Sequence, residues 1–258
     1  MSPLRPLAFR AQRLRELEHQ LDLSSPPFRL DMSSPTYGAV EAGEGGSSSG
    51  GGGGGGKPRG KVDWDYSHSK TDILTGTGST TSERLFTYLP GIIAAILVLI
   101  LYFVHLHKHW NWWRLVVAML IAFDIIGGTI GLSTNANKRF YHTPPRPEDP
   151  TQIKLLKNHI IFSLIHVHPL LIWLLYKPHN WIFGVVWYVY LLVATAVVEW
   201  GTKLYLKRPC AMGFVVGAVF IDRYLVKGVE GFEWLPVLLV LKIVYGLCVQ
   251  EEPYRPEE

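Results

Sequence analysis

Four ionisable side chains stand inside long apolar segments of this sequence: Asp124, His166, Asp222 and Lys242. Counting from the ends of those segments places all four near the middle of a membrane. A charged side chain at that depth costs at least about 2.5 to 3.5 kcal/mol, so it needs an oppositely charged partner or a wet cavity. We therefore predict that these residues bind a substrate or relay protons, and that Asp124 or Asp222 pairs with Lys242.

Asp124 shares one face of its segment with three small residues, Gly127, Gly128 and Gly131. Their spacing places them on one side of a helix, where the missing side chains allow a neighbouring helix to come close. The pattern predicts that Asp124 faces protein rather than lipid.

Four further polar residues, His159, Glu199, Arg223 and Tyr245, are candidates for a supporting role. In one continuous helix His159 and His166 would share a face, and His168 would point elsewhere. Glu199 falls close to one membrane face, where it and Arg223 could instead extend to the headgroups. His166 is equally compatible with a neutral histidine packed in the core.

The elements that must position these residues are predicted to be helices. Six apolar runs approach or reach the length of about 20 residues that a membrane helix needs. They are Leu85–Leu106, Trp113–Ser133, Asn158–Tyr176, Trp181–Trp200, Ala211–Gly228 and Trp234–Val249. The last two are shorter and carry charges, so they could instead be re-entrant or interfacial. We predict an all-α polytopic membrane protein of about six transmembrane helices.

Short connections between successive runs predict three helical hairpins. The pair Asn111-Trp112 at one hairpin tip recurs as Asn180-Trp181 at the next, and Lys138-Arg139 recurs as Lys207-Arg208. These matches are typical of a repeated hairpin, although Trp and Lys also gather at any membrane interface.

The basic residues predict the orientation. Most Lys and Arg lie before the first run, in the second and fourth connections, or after the last run. By the positive-inside rule, both termini are expected in the cytoplasm. The net charge of +4 is too small to favour nucleic acid as a partner.

We predict three regions: a flexible cytoplasmic tail (1–84), a transmembrane domain (85–250) and a short cytoplasmic C-terminal tail (251–258). The first tail includes the Gly/Ser-rich tether Ser33–Gly60, which contains the run Gly50–Gly56, a composition with almost nothing to bury. It is therefore expected to be disordered, and it is a possible binding region for cytoplasmic partners.

No cofactor and no metal are expected. Four of the six runs contain no histidine, which excludes a bis-histidine haem between facing helices. Only His166 and His168 have a spacing similar to that of a diiron site, and Cys210 and Cys248 have no metal-binding spacing. A retinal Schiff base on Lys242 is disfavoured, because six runs rather than seven are present. The sequence names no catalytic residue.

Three functions fit these observations. We favour a small transporter or channel with a charged site in the middle of the membrane. The alternative is an intramembrane enzyme that acts on a lipid or isoprenoid with Asp124 or Asp222 as general acid. The third is a non-catalytic membrane scaffold or assembly factor. Each predicts an integral protein of the endomembranes or plasma membrane that contacts membrane lipids, and each is compatible with a homo-oligomer.

Overall fold

The computed structural model describes residues 62–64, 71–107, 109–147 and 149–254, and the described part is mostly helical. The predicted tether and most of the predicted N-terminal tail lie outside the described residues. The helices in chain order are α1 (Thr81–Leu106), α2 (Trp112–Gly131), α3 (Asn135–His142), α4 (Thr151–Leu156), α5 (His159–Ile165), α6 (His168–Tyr176), α7 (Trp181–Gly201), α8 (Lys207–Tyr224) and α9 (Leu235–Leu247). A 3-10 turn, Leu204–Leu206, leads into α8.

Five helical segments are long and apolar enough to cross a membrane: α1, α2, α5 together with α6, α7, and the 3-10 turn together with α8. Most of their surface faces outward rather than into the protein, and α1 alone exposes Leu85, Phe86, Leu89, Ile92, Ile93, Ile96, Leu97 and Ile100. Apolar side chains on that scale are stable against lipid and not against water. These helices support a multi-pass membrane protein.

The sixth apolar segment, α9, is shorter and more deeply buried. It has six residues of α-helix followed by seven of π-helix, about 20 Å in all, whereas the hydrocarbon core is about 30 Å thick. Leu235, Leu239, Ile243 and Leu247 are each at most 1% exposed. A short helix is tolerated there because other helices, rather than lipid, surround it. Six complete spans and three repeated hairpins stay predictions.

Contacts between separate segments define two ends of the bundle. At one end, which we call the terminal end, α3 contacts the start of α1 through Glu83 and the end of α9 through Lys138. The end with the connection between α1 and α2 is called the far end. At the far end, Trp110 stacks on Phe232 with ring centroids 5.2 Å apart, and Tyr176 packs against both rings.

A small β-hairpin precedes α1, which the all-α prediction omitted. Strands β1 (Thr71–Asp72) and β2 (Gly76–Thr77) pair antiparallel. Helix α1 then begins at Thr81, before the predicted start at Leu85, because Thr80 and Glu83 form a capping box. Residues 71–84, predicted to be part of the flexible tail, therefore have regular structure.

Candidate functional site

The centre of the bundle contains a buried ion pair between α2 and α9. Lys242 Nζ donates a hydrogen bond to Asp124 Oδ2 at 2.7 Å, which confirms the predicted pairing. The two side chains differ in exposure, at 3% for Lys242 and 43% for Asp124. Lys242 is thus sealed in the core, while the carboxylate remains accessible.

Three charged residues of the bundle lie in π-helical turns, which are wider than α-helical turns. Asp124 lies in the π-helical stretch Phe123–Gly127, and Lys242 lies in Leu241–Leu247. Glu199 lies in a third such stretch, Val197–Gly201. A π turn holds an extra residue and disturbs the regular backbone ladder, and such turns often occur at functional sites.

Glycines on α2 make room for the pair. A Cβ atom at Gly128 would lie 2.5 Å from Lys242 Cε and 2.9 Å from its Nζ. Gly127 and Gly131 instead face α1, where a Cβ atom would meet Thr87 at 3.0 Å and 2.9 Å, respectively. The predicted close approach of a neighbouring helix along this stripe is confirmed.

A helix break brings two histidines to the ion pair. The third span is interrupted between α5 and α6, where His166 has ψ of 59° and Pro169 follows in the first turn of α6. Proline has no N–H to donate to the carbonyl four residues earlier, which here belongs to Ile165, but it is tolerated in the first turn of a helix, so it favours a new helix start at this point. The break turns His168 towards Asp124, with His168 Nε2 3.4 Å from Asp124 Oδ2. The prediction that His168 points elsewhere was wrong, because it assumed one continuous helix.

His166 lies beside this contact and is 5% exposed. Its Nδ1 is 2.6 Å from the carbonyl oxygen of Phe162. A carbonyl only accepts hydrogen bonds, so Nδ1 carries a proton, and in the neutral ring Nε2 keeps its lone pair. The rings of His166 and His168 are 5.4 Å apart.

A half-open cavity of about 180 Å³ lies against these groups. Its polar lining residues are Asp124, Asn137, His166 and Lys242, and its apolar ones include Ile73, Leu74, Phe162 and Ile165. Tyr141 also lines the cavity; burial raises the pKa of its phenol, so the hydroxyl stays protonated well above neutral pH. The cavity therefore combines charged groups with an apolar rim.

The β-hairpin covers the terminal side of this cavity. Asn137 Nδ2 donates to Leu74 O at 3.2 Å and to Gly131 O at 2.8 Å, and Arg139 Nε donates to Thr77 O at 3.2 Å. Gly76 has φ +80° and packs directly on the backbone of α3. The side chains of α3 thus fasten the hairpin over the site.

A second polar cluster lies at the terminal end. Glu199 accepts a hydrogen bond from Lys207 at 2.8 Å, and its other oxygen is 3.2 Å from His159 Nδ1. Because His159 begins α5 while His166 directly follows its last residue, these two histidines belong to different clusters, although the sequence predicted them on one face.

Asp222, Arg223 and Tyr245 are not part of the central site. Helix α8 runs over Lys207–Tyr224 rather than 211–228, so Asp222 falls near its far end instead of at middle depth. Glu233 and Arg223 are the charged groups that act on it there. Arg223 is exposed, and Tyr245 is half-buried at the edge of the apolar core.

Sequence reasoning missed several residues that build the site: His168, Asn137, Lys138 and Arg139. The motif His168-Pro169 was the available signal for a helix break. Lys138 is 3% exposed and donates to the carbonyls of Gly246 and Val249 at 2.7 and 2.8 Å. Burial lowers its pKa to about 8.

Comparison with known proteins yields no match: no protein-family model, no curated protein and no solved structure matches this chain. The arrangement of the site itself must indicate its chemistry. A carboxylate that contacts an ammonium and an imidazole can accept a proton and can bind a cation or a hydrogen-bond donor.

Proposed function

We propose that this protein is a proton-linked transporter of a small solute. The observation that carries the proposal is a membrane helix broken at His166, facing the Asp124–Lys242 pair across a half-open cavity. Transporters commonly bind substrates near the middle of the membrane, at discontinuous helices whose freed backbone groups and helix ends contact the ligand.

The two ends of the bundle differ in a way that suits a carrier in one of two alternating states. Trp110, Tyr176 and Phe232 form a packed aromatic cluster at the far end. The cavity lies nearer the terminal end, under the hairpin, with Asp124 accessible inside it. We infer a state that is closed at the far end.

Proton coupling follows from the two partners of one carboxylate oxygen. Asp124 Oδ2 contacts both Lys242 Nζ and His168 Nε2. Protonation of His168 would strengthen its attraction to Asp124 and thereby weaken the ion pair between Asp124 and Lys242. A proton or a cationic solute can therefore change which groups pair, and such a change of partner links proton binding to helix movement.

The experiment uses purified protein in lipid vesicles that contain a pH-sensitive dye. A potassium diffusion potential drives proton movement, with and without a panel of weak acids, amines, sugars and amino acids outside. We expect proton flux that His168→Gln and Asp124→Asn reduce at least tenfold. Glu230→Gln, an exposed carboxylate outside the cavity, serves as the control. Equal flux in the wild type and both site variants would contradict the proposal.

A second candidate, an intramembrane enzyme, is favoured by the apolar rim of the cavity. Ile73, Leu74 and Ile165 are 44%, 55% and 53% exposed, so an acyl or isoprenoid chain has an apolar surface at the entrance. Asp124, which lines the cavity, would then act as the acid or base, and His168, 3.4 Å from its carboxylate, would position it. Incubation with a lipid extract, followed by mass spectrometry, tests this: a lipid converted by the wild type and not by His168→Gln would favour the enzyme.

We also propose that the terminal end faces the cytoplasm, as the Lys and Arg distribution predicts. Lys203 and His179 are exposed positions at opposite ends of α7. Single cysteines placed there should react with a membrane-impermeant thiol reagent from opposite sides. Labelling of both from outside would contradict this orientation.

A further inference from the structure

Three side chains from three separate elements meet in a cluster at the terminal end, apart from the central cavity. His159 begins α5, Glu199 lies in the π turn of α7, and Cys248 directly follows α9. One donor atom from each, a nitrogen, an oxygen and a sulfur, lies within 4.8 Å of the others. The donors are far apart along the chain, which explains why the sequence predicts no metal.

The cluster is enclosed and its hydrogen bonding is incomplete. Cys248 is fully buried and His159 is 8% exposed. Within the described part of the chain, neither ring nitrogen of His159 makes a hydrogen bond, and its Nδ1 lies 3.2 Å from Glu199 Oε1 as an ion-pair contact. Buried polar groups without a partner are unfavourable and rare in folded proteins. A bound cation would give one of these two nitrogens a partner.

The donor set indicates which cation. Imidazole, carboxylate and thiolate together suit Zn²⁺, which commonly binds three protein ligands and one further group. Ligand atoms around tetrahedral zinc are about 3.3 to 3.8 Å apart. The three donors therefore need to approach one another by only about 1 Å. Water would supply the fourth ligand; the ring centroid of His142 is 5.1 Å from that of His159, but His142 does not belong to the three-residue cluster.

The surroundings also fit a bound ion. Lys207 holds Glu199 through Oε2 at 2.8 Å, which leaves Oε1 for the metal. Ligating carboxylates usually have such an outer hydrogen bond, because it fixes their orientation. With a thiolate and a carboxylate as ligands, the two charges of Zn²⁺ are balanced, and Lys207 and Lys138 remain as neighbouring positive groups.

We propose that His159, Glu199 and Cys248 form a zinc site that joins α5, α7 and the end of α9. Its place at the meeting point of three elements assigns it a structural role, separate from the chemistry of the central cavity. Bound metal would hold the terminal ends of these helices together while the broken third span moves.

The experiment titrates Co²⁺, as an optical substitute for zinc, into purified, metal-free protein under reducing and oxygen-free conditions. A cysteine ligand gives sulfur-to-cobalt charge-transfer absorption in the near ultraviolet. We expect this band to saturate at one Co²⁺ per chain and to disappear when Zn²⁺ is added. It should be lost in Cys248→Ala and retained in Cys210→Ala, because Cys210 is the other cysteine and lies outside the cluster.

A second variant keeps the proposal testable should Cys248→Ala fail to fold. His159→Gln preserves the thiol, so we expect the band to persist with Co²⁺ affinity reduced roughly a hundredfold or more. Zinc content and the melting temperature in detergent are measured in parallel, and added Zn²⁺ should raise the melting temperature of the wild type and of Cys210→Ala. No thiolate band in the wild type, or unchanged affinity in His159→Gln, would overturn the zinc site.

Discussion

Removing either member of the Asp124–Lys242 pair should destabilise the protein by unequal amounts. Asp124→Asn leaves a lysine whose side chain is 3% exposed and surrounded by core residues of α9. Lys242→Met leaves a carboxylate that is 43% exposed, lines the cavity and still contacts His168. The residual charge is therefore much harder to accommodate in the first variant.

The magnitude follows from that difference in burial. A buried charge left without its partner costs about 3 to 5 kcal/mol, which is the range expected for Asp124→Asn. A polar group that keeps access to a cavity and a second partner loses less, about 1 to 3 kcal/mol, and this is the range for Lys242→Met. The double variant contains neither charge, so it should be more stable than Asp124→Asn alone.

The assay is a double-mutant cycle on the free energy of unfolding, measured by denaturant titration in mixed micelles. We expect a coupling energy of about 0.5 to 3 kcal/mol between the two sites. Lys227→Met, which removes an exposed lysine, is the control and should change stability by less than about 0.5 kcal/mol. The reasoning is refuted if Lys242→Met is at least as damaging as Asp124→Asn, or if the double variant equals the sum of the two.

Three further predictions concern the glycines of the helices, the aromatic cluster at the far end and Lys138 at the terminal end. Gly128→Ala should destabilise the protein by about 1 to 3 kcal/mol, because the new methyl group displaces Lys242. Gly213→Ala is the control: no atom lies within 4 Å of its new methyl group, so it should stabilise α8 by about 1 kcal/mol, and thermal unfolding measures both variants. Phe232→Ala should cost about 3 to 5 kcal/mol, since the ring is fully buried in the far-end cluster, and Phe220→Ala, which is 61% exposed, should cost far less in the same measurement. Lys138 should make stability depend on pH, because burial lowers its pKa from 10.5 to about 8. Between these two pH values the unfolded chain binds more protons than the folded one, so the free energy of unfolding rises with pH by up to about 3 kcal/mol. The free energy of unfolding, measured between pH 7 and 10.5, should therefore rise more in the wild type than in Lys138→Met. The same pH dependence in both proteins would contradict the prediction.

The sequence by itself determined the class of the protein and most of the central ion pair. Long apolar runs predict membrane helices, because lipid offers no hydrogen-bond partners and a helix satisfies every backbone polar group within its own segment. A buried lysine requires a carboxylate, which is why Lys242 could be matched with Asp124 or Asp222. The glycines beside Asp124 were likewise sufficient to predict a close helix contact, since only small residues permit one.

Tertiary structure decided between the two carboxylates and placed the histidines. Asp222 is excluded as the partner of Lys242, because α8 begins at Lys207 rather than at the predicted residue 211, and Asp222 therefore lies near the far end of the helix. The break before Pro169 changed the helical phase, so His168 and not His159 joined Asp124. Periodicity assumes an unbroken helix, and it therefore fails where proline or a π turn interrupts the hydrogen-bond ladder.

The cluster of His159, Glu199 and Cys248 depended on tertiary structure alone. Its members belong to the first residue of one helix, a π turn of another and the residue after a third. Spacing along the chain carries no signal for donors that meet only when separate helices pack. Local pattern determines which segments form helices and which faces they bury, whereas helix packing decides which distant side chains come within bonding distance.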